Sequence, residues 1–329
     1  MTERTISMVE ALREGLREEM GRDERVVLLG DDIGSAGGIF TATMGLREEF
    51  GGGRVWDMPL AENGVVGVGI GAAIGGLRPV AEVQFADFLL SAMSQIVNEA
   101  AKLRYRSLGQ WSCPIVIRAP YGAGLAGGPD HSQSVETLFA HIPGLKVVAP
   151  STPADTKGLI KASIRDEDPV IFLEQKSLYH QRYGVVSDDE DYVIPLGRAI
   201  VRREGKDVSV ITYGAMVFES LFAAEMLQRE QIDLEIIDIR TLQPLDIDTI
   251  GESVSKTNKA IVFHEDTRFS GIGAEIAATI GEELFEFLDG PVIRLGAPFA
   301  PIPAKPSLEK EIIPNAAALA NAVRRLSRY

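Results

Sequence analysis

The sequence predicts an α/β chain of two doubly wound domains, the first built on a mostly parallel sheet. Three observations predict it. Short apolar, β-branched runs alternate with segments of helical periodicity over residues 26–173 and again over 208–327. An acidic, unpatterned stretch at 184–192 separates the two series. A chain of 329 residues is also long enough to bury two cores.

The elements follow in order. Val9, Leu12, Leu16 and Met20 recur at three- and four-residue spacing, so 5–21 reads as an amphipathic helix. Strands are expected at 26–29, 54–57, 79–83, 114–118, 145–148 and 170–173, where short apolar runs have the composition of buried parallel strands. Helices are expected between them at 62–75, 87–107 and 153–166. The last carries a start signal, with Thr152 as cap, Pro153 in the first turn and Asp155 three residues after the cap. This gives a first domain at 1–183, a linker at 184–198 and a second domain at 199–329. The second domain has strands at 208–213, 234–239, 260–263 and 291–295, and helices near 215–230, 246–257, 272–288 and 315–327. The proline-rich piece 297–306 reads as extended surface chain.

Composition excludes several functions. A formal charge of −14 opposes nucleic-acid binding, because it repels the phosphate backbone, and it suits a basic protein partner. The longest uncharged apolar stretch, 64–77, falls short of the roughly 20 residues that span a bilayer, so no membrane segment is expected. The amino terminus lacks the basic start and apolar block of a secretory signal, and Glu3 and Glu10 argue against a transit peptide. The single cysteine, Cys113, precludes an internal disulfide and fits a reducing, cytoplasmic setting. It precedes a buried strand and is read as inert.

Two residues stand out for chemistry. Glu62 precedes a glycine- and alanine-rich run with no charge between Asn63 and Arg78, so it is expected where water is scarce. A carboxylate in such a place resists ionising and can share a proton with a bound heterocycle. The competing reading is that Glu62 simply opens a helix, where the dipole favours negative charge. Gly67, Gly69 and Ala72, with Asp87 twenty residues beyond Gly67, approximate a dinucleotide fingerprint. Against it, Gly67, Gly71 and Gly75 recur every fourth residue and mark one helix face, which favours close helix approach at a subunit contact.

His131 lies in the glycine-rich stretch 121–134, directly after the strand at 114–118, where ligands of open α/β sheets gather. A histidine exchanges protons near neutrality, and Asp130 would favour its charged form. The competing reading is a cap for a helix beginning near Ser134. His141 reads as a helix end, His180 as solvated, and His264 as a strand end with a weaker claim to a site. Asp31 and Asp32 follow a strand and read either as a cation site or as solvated turn residues. There is no metal-ligand spacing, no phosphate-binding lysine after a glycine loop, and no Gly-x-Ser-x-Gly nucleophile.

Taken together, the stretches 59–62, 81–88, 102–107, 131–134, 143–148 and 237–242 resemble the beta subunit of the decarboxylating first component of the 2-oxo acid dehydrogenase complexes. The resemblance covers nearly the whole chain. It implies a thiamine pyrimidine-binding domain followed by a transketolase C-terminal-like domain. It also implies an alpha2-beta2 heterotetramer in which beta binds the aminopyrimidine and alpha holds the diphosphate and its magnesium. The Gly-Asp-Gly motif of the diphosphate half is absent from this chain, in agreement.

The resemblance assigns Glu62 to the pyrimidine ring nitrogen, where it favours the imino tautomer, and His131 to proton transfer as the acyl group passes to a lipoyl arm. Leu60, Gln84 and Phe88 would line the pyrimidine pocket. A structural potassium ion is implied near Cys113, Ile115, Val116, Ser163, Asp166 and Asp168. A lipoyl acyltransferase is the implied partner and a 2-oxo acid the substrate. Many relatives carry a histidine or glutamine just before the one matched by His131. Here Pro129 and Asp130 stand there, so pyruvate, branched-chain and acetoin-type substrates all stay open. The alternatives are a split transketolase-like subunit and a nicotinamide-binding oxidoreductase or non-catalytic scaffold subunit.

Overall fold

Strand and helix alternate along the chain as the apolar patterning requires. A computed structural model describes residues 4–329, so the reading made at Glu3 lies outside the described residues. Two compact units form. Unit one runs to Tyr121 and resumes over Leu138–Leu196; unit two consists of Gly122–Thr137 and Gly197–Tyr329.

Unit one opens with α1 (Met8–Arg22), whose start is a capping box. Glu10 N–H donates to Ser7 Oγ at 3.4 Å, and Ser7 N–H donates to Glu10 Oε2 at 2.7 Å. The expected stripe of Val9, Leu12, Leu16 and Met20 is buried. Then come β1 (Val26–Gly30), α2 (Leu46–Phe50), β2 (Val55–Asp57), α3 (Glu62–Ile74), β3 (Arg78–Glu82), α4 (Leu103–Arg106) and β4 (Val116–Tyr121). After α5 (Glu136–Ala140) follow β5 (Lys146–Val148), α6 (Pro153–Arg165) and β6 (Val170–Gln175). The strands lie in the order β5-β6-β4-β3-β1-β2 and every pairing is parallel. Both faces of such a sheet are covered, which accounts for the apolar runs. Thr152 caps α6 as expected, with Asp155 N–H donating to its Oγ1 at 3.2 Å.

One expected helix is different. Residues 87–107 are not a single α-helix: a 3-10 helix at Ala86–Ala92 passes into a π-helix at Gln95–Ala100 and then into α4. The wide π turn packs against α3, where a Cβ on Gly67 would lie 3.8 Å from Gln95 Cγ. Side-chain periodicity does not register such changes of winding.

Unit two contains β7 (Ile200–Arg203), β8 (Val208–Thr212), α7 (Met216–Gln228), β9 (Leu234–Asp238), β10 (Thr241–Gln243), α8 (Ile247–Thr257) and β11 (Ala260–Thr267). It ends with α9 (Ile272–Glu283), β12 (Ile293–Ala297), α10 (Pro306–Ile312) and α11 (Ala316–Leu326). Its five-stranded sheet has the order β12-β11-β8-β9-β7, parallel except for the antiparallel edge pair β7–β9. The α/β fold class expected for both halves is borne out. β7 and α10 are additions: β7 is a short edge whose Arg202 and Arg203 reach Asp238 and Asp233, and α10 starts on Pro306, which fits a first helical turn.

Candidate functional site

Glu62 is the first residue of α3, reached from β2 through the exposed Leu60, which keeps 70% of its accessible surface. Its carboxylate is half-buried and lies on Ser91, with Ser91 Oγ 3.2 Å from Glu62 Oε2 and 2.9 Å from the Phe88 carbonyl oxygen. Ser91 thus joins Glu62 to the segment carrying Phe88. Phe88 meets Phe85 edge to face, with centroids 5.9 Å apart. Gln84 leaves β3 and donates Nε2–H to Asp31 Oδ2 at 2.8 Å, at the end of β1. Asp31 has its pKa raised, first by burial and then by the charges of Asp32, Asp57 and Glu62. Glu62, Gln84 and Phe88 are therefore brought together at the carboxyl ends of β1, β2 and β3, where open α/β sheets bind ligands.

The glycines of α3 divide by environment. A Cβ on Gly69 would lie 2.7 Å from Ile115 Cδ1, so this glycine admits the sheet beneath. A Cβ on Gly71 would meet nothing within 4 Å.

A buried ion cluster underlies the site. Arg118 on β4 donates Nε–H to Glu174 Oε1 at 2.6 Å, and its other arm reaches Glu82 at the end of β3. Glu82 also accepts from Ile39 N–H at 2.9 Å, which ties down the loop after β1. Burial raises the Glu82 pKa although Arg118 opposes it. Burial alone would lower Arg118, but Glu174 and Glu82 more than reverse it. Gly38, at φ +69°, passes so close that a Cβ would lie 2.8 Å from both Glu82 oxygens.

His131 sits half-buried in the loop that unit two takes from the first half of the sequence. Ala123 N–H donates to Glu265 Oε1 at 2.6 Å, and Gly124 N–H to Glu309 Oε1 at 3.0 Å, so carboxylates from β11 and α10 pin the loop. Gly122 N–H donates to the Gln133 carbonyl at 3.0 Å and closes it. A Cβ on Gly127 would lie 2.9 Å from His131 Cβ. The helix-cap reading of His131 fails, because α5 begins only at Glu136. Beside this loop, Pro129, Gln133 and Ser134 share a cavity of about 420 Å³ with Glu265, Asp266 and Phe299.

Behind the cavity wall lies a polar cluster of which pattern reading singled out only His264, as a strand end with a weaker claim to a site, and missed the other members. His264 is wholly buried, stacks on Tyr213 with the rings 7° from parallel, and has no hydrogen-bond partner at either ring nitrogen among the described residues. Burial, and then the charge of Arg294, push its pKa down to about 4. Tyr213 donates its hydroxyl to Glu136 Oε1 at 2.8 Å, and Thr137 Oγ1–H donates to Asp266 Oδ2 at 2.7 Å. Burial raises the pKa of Glu136 well above the usual carboxylate range, with Asp266 adding to it, and raises Asp266 as well. The other two histidines, His141 and His180, are exposed.

The stretches implied for potassium also meet. Ser163 O accepts from Asp166 N–H at 3.3 Å, and Ile115 O accepts from Val170 N–H at 2.9 Å. Arg78 Nη1 donates to the Ile164 and Asp166 carbonyls at 2.9 and 3.0 Å, and Lys146 and Arg104 reach Asp166 and Asp168. The oxygens are of the hard kind an alkali cation takes, but side-chain cations already share several of them. Cys113 is buried, and burial together with Asp168 pushes its thiol up to about 12, so it is inert at neutral pH.

Comparison with known proteins agrees with this layout. Residues 4–181 match the family described as transketolase, pyrimidine binding domain, and residues 197–319 match transketolase, C-terminal domain. The chain is 51% identical over 325 residues to the 2-oxoisovalerate dehydrogenase subunit beta of Bacillus subtilis (strain 168), covering 98% of this chain and 99% of that one. It is 47% identical over 293 residues to the pyruvate dehydrogenase E1 component subunit beta of the same organism, covering 89% and 90%. Among solved structures, a split gene transketolase described as an inactive beta4 tetramer superposes with a TM-score of 0.79 at 25% identity, covering 99% of each chain. With both domain types in order and relatives at this identity across its length, the chain belongs to the family of beta subunits of the decarboxylating first component of the 2-oxo acid dehydrogenases.

Proposed function

We propose that this chain is the pyrimidine-binding half of a thiamine diphosphate enzyme that oxidatively decarboxylates a 2-oxo acid and passes the acyl group to the lipoyl group of a dihydrolipoyl acyltransferase. One observation carries the reading: the grouping of Glu62, Gln84 and Phe88 at the carboxyl ends of β1 to β3. The set fits a flat, protonatable heterocycle. It offers a half-buried carboxylate for one ring atom, the Phe88 ring and Leu60 for apolar faces, and an amide whose N–H is already engaged by Asp31. Asp31 holds one of the two Gln84 N–H groups, which leaves the carbonyl oxygen to accept and the second N–H to donate.

When bound, thiamine diphosphate supplies the electron sink for the carbon that loses carbon dioxide. Glu62 accepts and returns a proton at the heterocycle through one carboxylate oxygen, while Ser91 holds Oε2. Phe88 would shield that exchange, and the exposed Leu60 would add to the shield once a partner subunit covers it. His131 is assigned to proton transfer in the acyl-passing half of the reaction.

The partner follows from what the chain lacks. An alpha subunit carrying the Gly-Asp-Gly motif would hold the diphosphate and magnesium, in an alpha2-beta2 assembly working in the cytoplasm. The open helix face at Gly71 and the exposed Leu60 suit a subunit contact. A potassium ion at 113–116 and 163–168 would have to share the Asp166 carbonyl with Arg78, so no chemical step is routed through it. The names of the two Bacillus relatives agree on the 2-oxo acid class and differ on the acid.

The test is calorimetry with thiamine diphosphate on the chain reconstituted with its alpha subunit, followed by carbon dioxide release from 2-oxoisovalerate and from pyruvate. Binding and turnover of either acid support the reading. Turnover of phosphorylated sugars would establish the split-transketolase alternative, and a lack of thiamine binding would leave a nicotinamide enzyme or a scaffold.

A further inference from the structure

Arg268, Arg294 and Arg325 surround one concavity of unit two together with Phe269 and Phe299. It lies along β12, an edge strand of the five-stranded sheet, and has a volume of about 760 Å³. Small-molecule sites commonly have this size. No carboxylate residue lines it, and none of the three arginines has a carboxylate partner among the described residues.

Arg13 and Arg54 also lack a carboxylate partner among the described residues, but what sets this place apart is three such arginines around one hollow in a chain with formal charge −14. Arg118, Arg165, Arg202 and Arg324 all sit on carboxylates, and Arg324, next in sequence to Arg325, is paired with Glu230 at 2.6 Å. Three like charges gathered around one hollow repel one another and focus a positive potential into it. They are also braced. Arg294 Nη1–H donates to the Arg268 carbonyl at 3.0 Å, and Arg268 N–H donates to the Ala297 carbonyl at 2.9 Å.

The aromatic pair is the second half of the site. Phe269 and Phe299 keep 66% and 79% of their surface exposed, with ring centroids 5.1 Å apart and planes at 63°. Exposed rings beside guanidinium groups offer a planar group a face to stack on, and the guanidinium fork matches phosphate oxygens in pairs.

We propose that this concavity binds a nucleoside polyphosphate, with the phosphates on Arg268, Arg294 and Arg325 and the base against Phe269 and Phe299. The proposal stands independently of the decarboxylation reading, since none of the three arginines lines the Glu62 site or the cavity beside His131; of the five residues only Phe299 borders both hollows.

Titration calorimetry with ATP and with inorganic tripolyphosphate, on the full chain and on its assembly with the alpha subunit, tests it. ATP is expected to bind once per chain, with affinity that falls as salt rises, and several-fold more tightly than tripolyphosphate. The double substitution R268Q/R325Q, at two exposed positions, should weaken ATP at least tenfold. F269A/F299A should leave tripolyphosphate unchanged and bring ATP down to its level. Absence of ATP binding, an R268Q/R325Q variant that binds as the original does, or binding that vanishes in the assembly would overturn the proposal, the last by making this face a subunit contact. Tripolyphosphate binding as tightly as ATP would overturn the role of the base.

Discussion

Glu62 is one carboxylate among many, and its surroundings set it apart. The long gap before the next charge, Arg78, made it legible in the sequence, and the structure puts Ser91 and the Asp31–Gln84 pair beside it. Those companions were not legible, because Gln84 and Asp31 are joined across 53 positions and no local pattern reports such a contact. Replacing Glu62 with Gln keeps the shape and the hydrogen bond to Ser91 but removes the exchangeable carboxylate proton. Carbon dioxide release by the reconstituted enzyme is expected to fall by roughly 10²- to 10⁴-fold, with an unchanged melting curve. Loss of folding in place of loss of turnover would show that Glu62 only supports the helix. His131→Ala should reduce acylation of lipoate more than decarboxylation followed with an artificial electron acceptor; equal losses in the two assays would contradict its assignment. His264 shows the limit of reading position alone. A strand end suggested some access to ligand, whereas Gly271, Gly273 and Gly296 let the backbone close around its ring.

Helices α1 and α6 show what elements owe to single residues. Periodicity located α1, and the Thr152–Asp155 cap marked the start of α6; the equivalent Ser7–Glu10 box at α1 carries the same signal at the same three-residue spacing. Their closeness was not visible. A Cβ on Gly15 would lie 2.6 Å from Ile160 Cγ2, and the same seam buries Lys157 and Lys161 against Glu14 and Glu18. A glycine chosen for helix approach looks in the sequence like any helix-weakening residue. Gly15→Val should therefore destabilise the protein by about 1–3 kcal/mol through overpacking, although valine has the better helix propensity. Denaturant melts would show it, and a neutral or stabilising result would mean that α1 can slide on α6. Ser7→Ala should cost about 1 kcal/mol by releasing the first-turn amide, and the loss should appear in the same melts.

At the scale of the molecule, acid stability reports on the closed interior of unit two. His264 holds a pKa of about 4, below its ordinary 6.5, so as pH falls the unfolded chain takes up this proton first. Stability is accordingly lost below about pH 6.5 and levels off near pH 4, and this span is worth about 3 kcal/mol. Glu136 and Asp266 act in the other direction. Their raised values penalise the folded state above the ordinary carboxylate range, and acidification relieves that penalty. His264→Phe keeps a ring against Tyr213 and should remove the loss between pH 6.5 and 4.5 in thermal melts; an unchanged profile would place the acid sensitivity elsewhere. The alternation of strands and helices made both α/β halves legible. The allegiance of Gly122–Thr137 was not, because it rests on backbone amides meeting Glu265 and Glu309 far along the chain. That allegiance constrains how such genes can be recombined. A chimera joined once, in the linker, would mate a loop from one parent with acidic anchors from the other. Only a design that exchanges residues 122–137 along with the carboxyl-terminal portion would inherit a matched set.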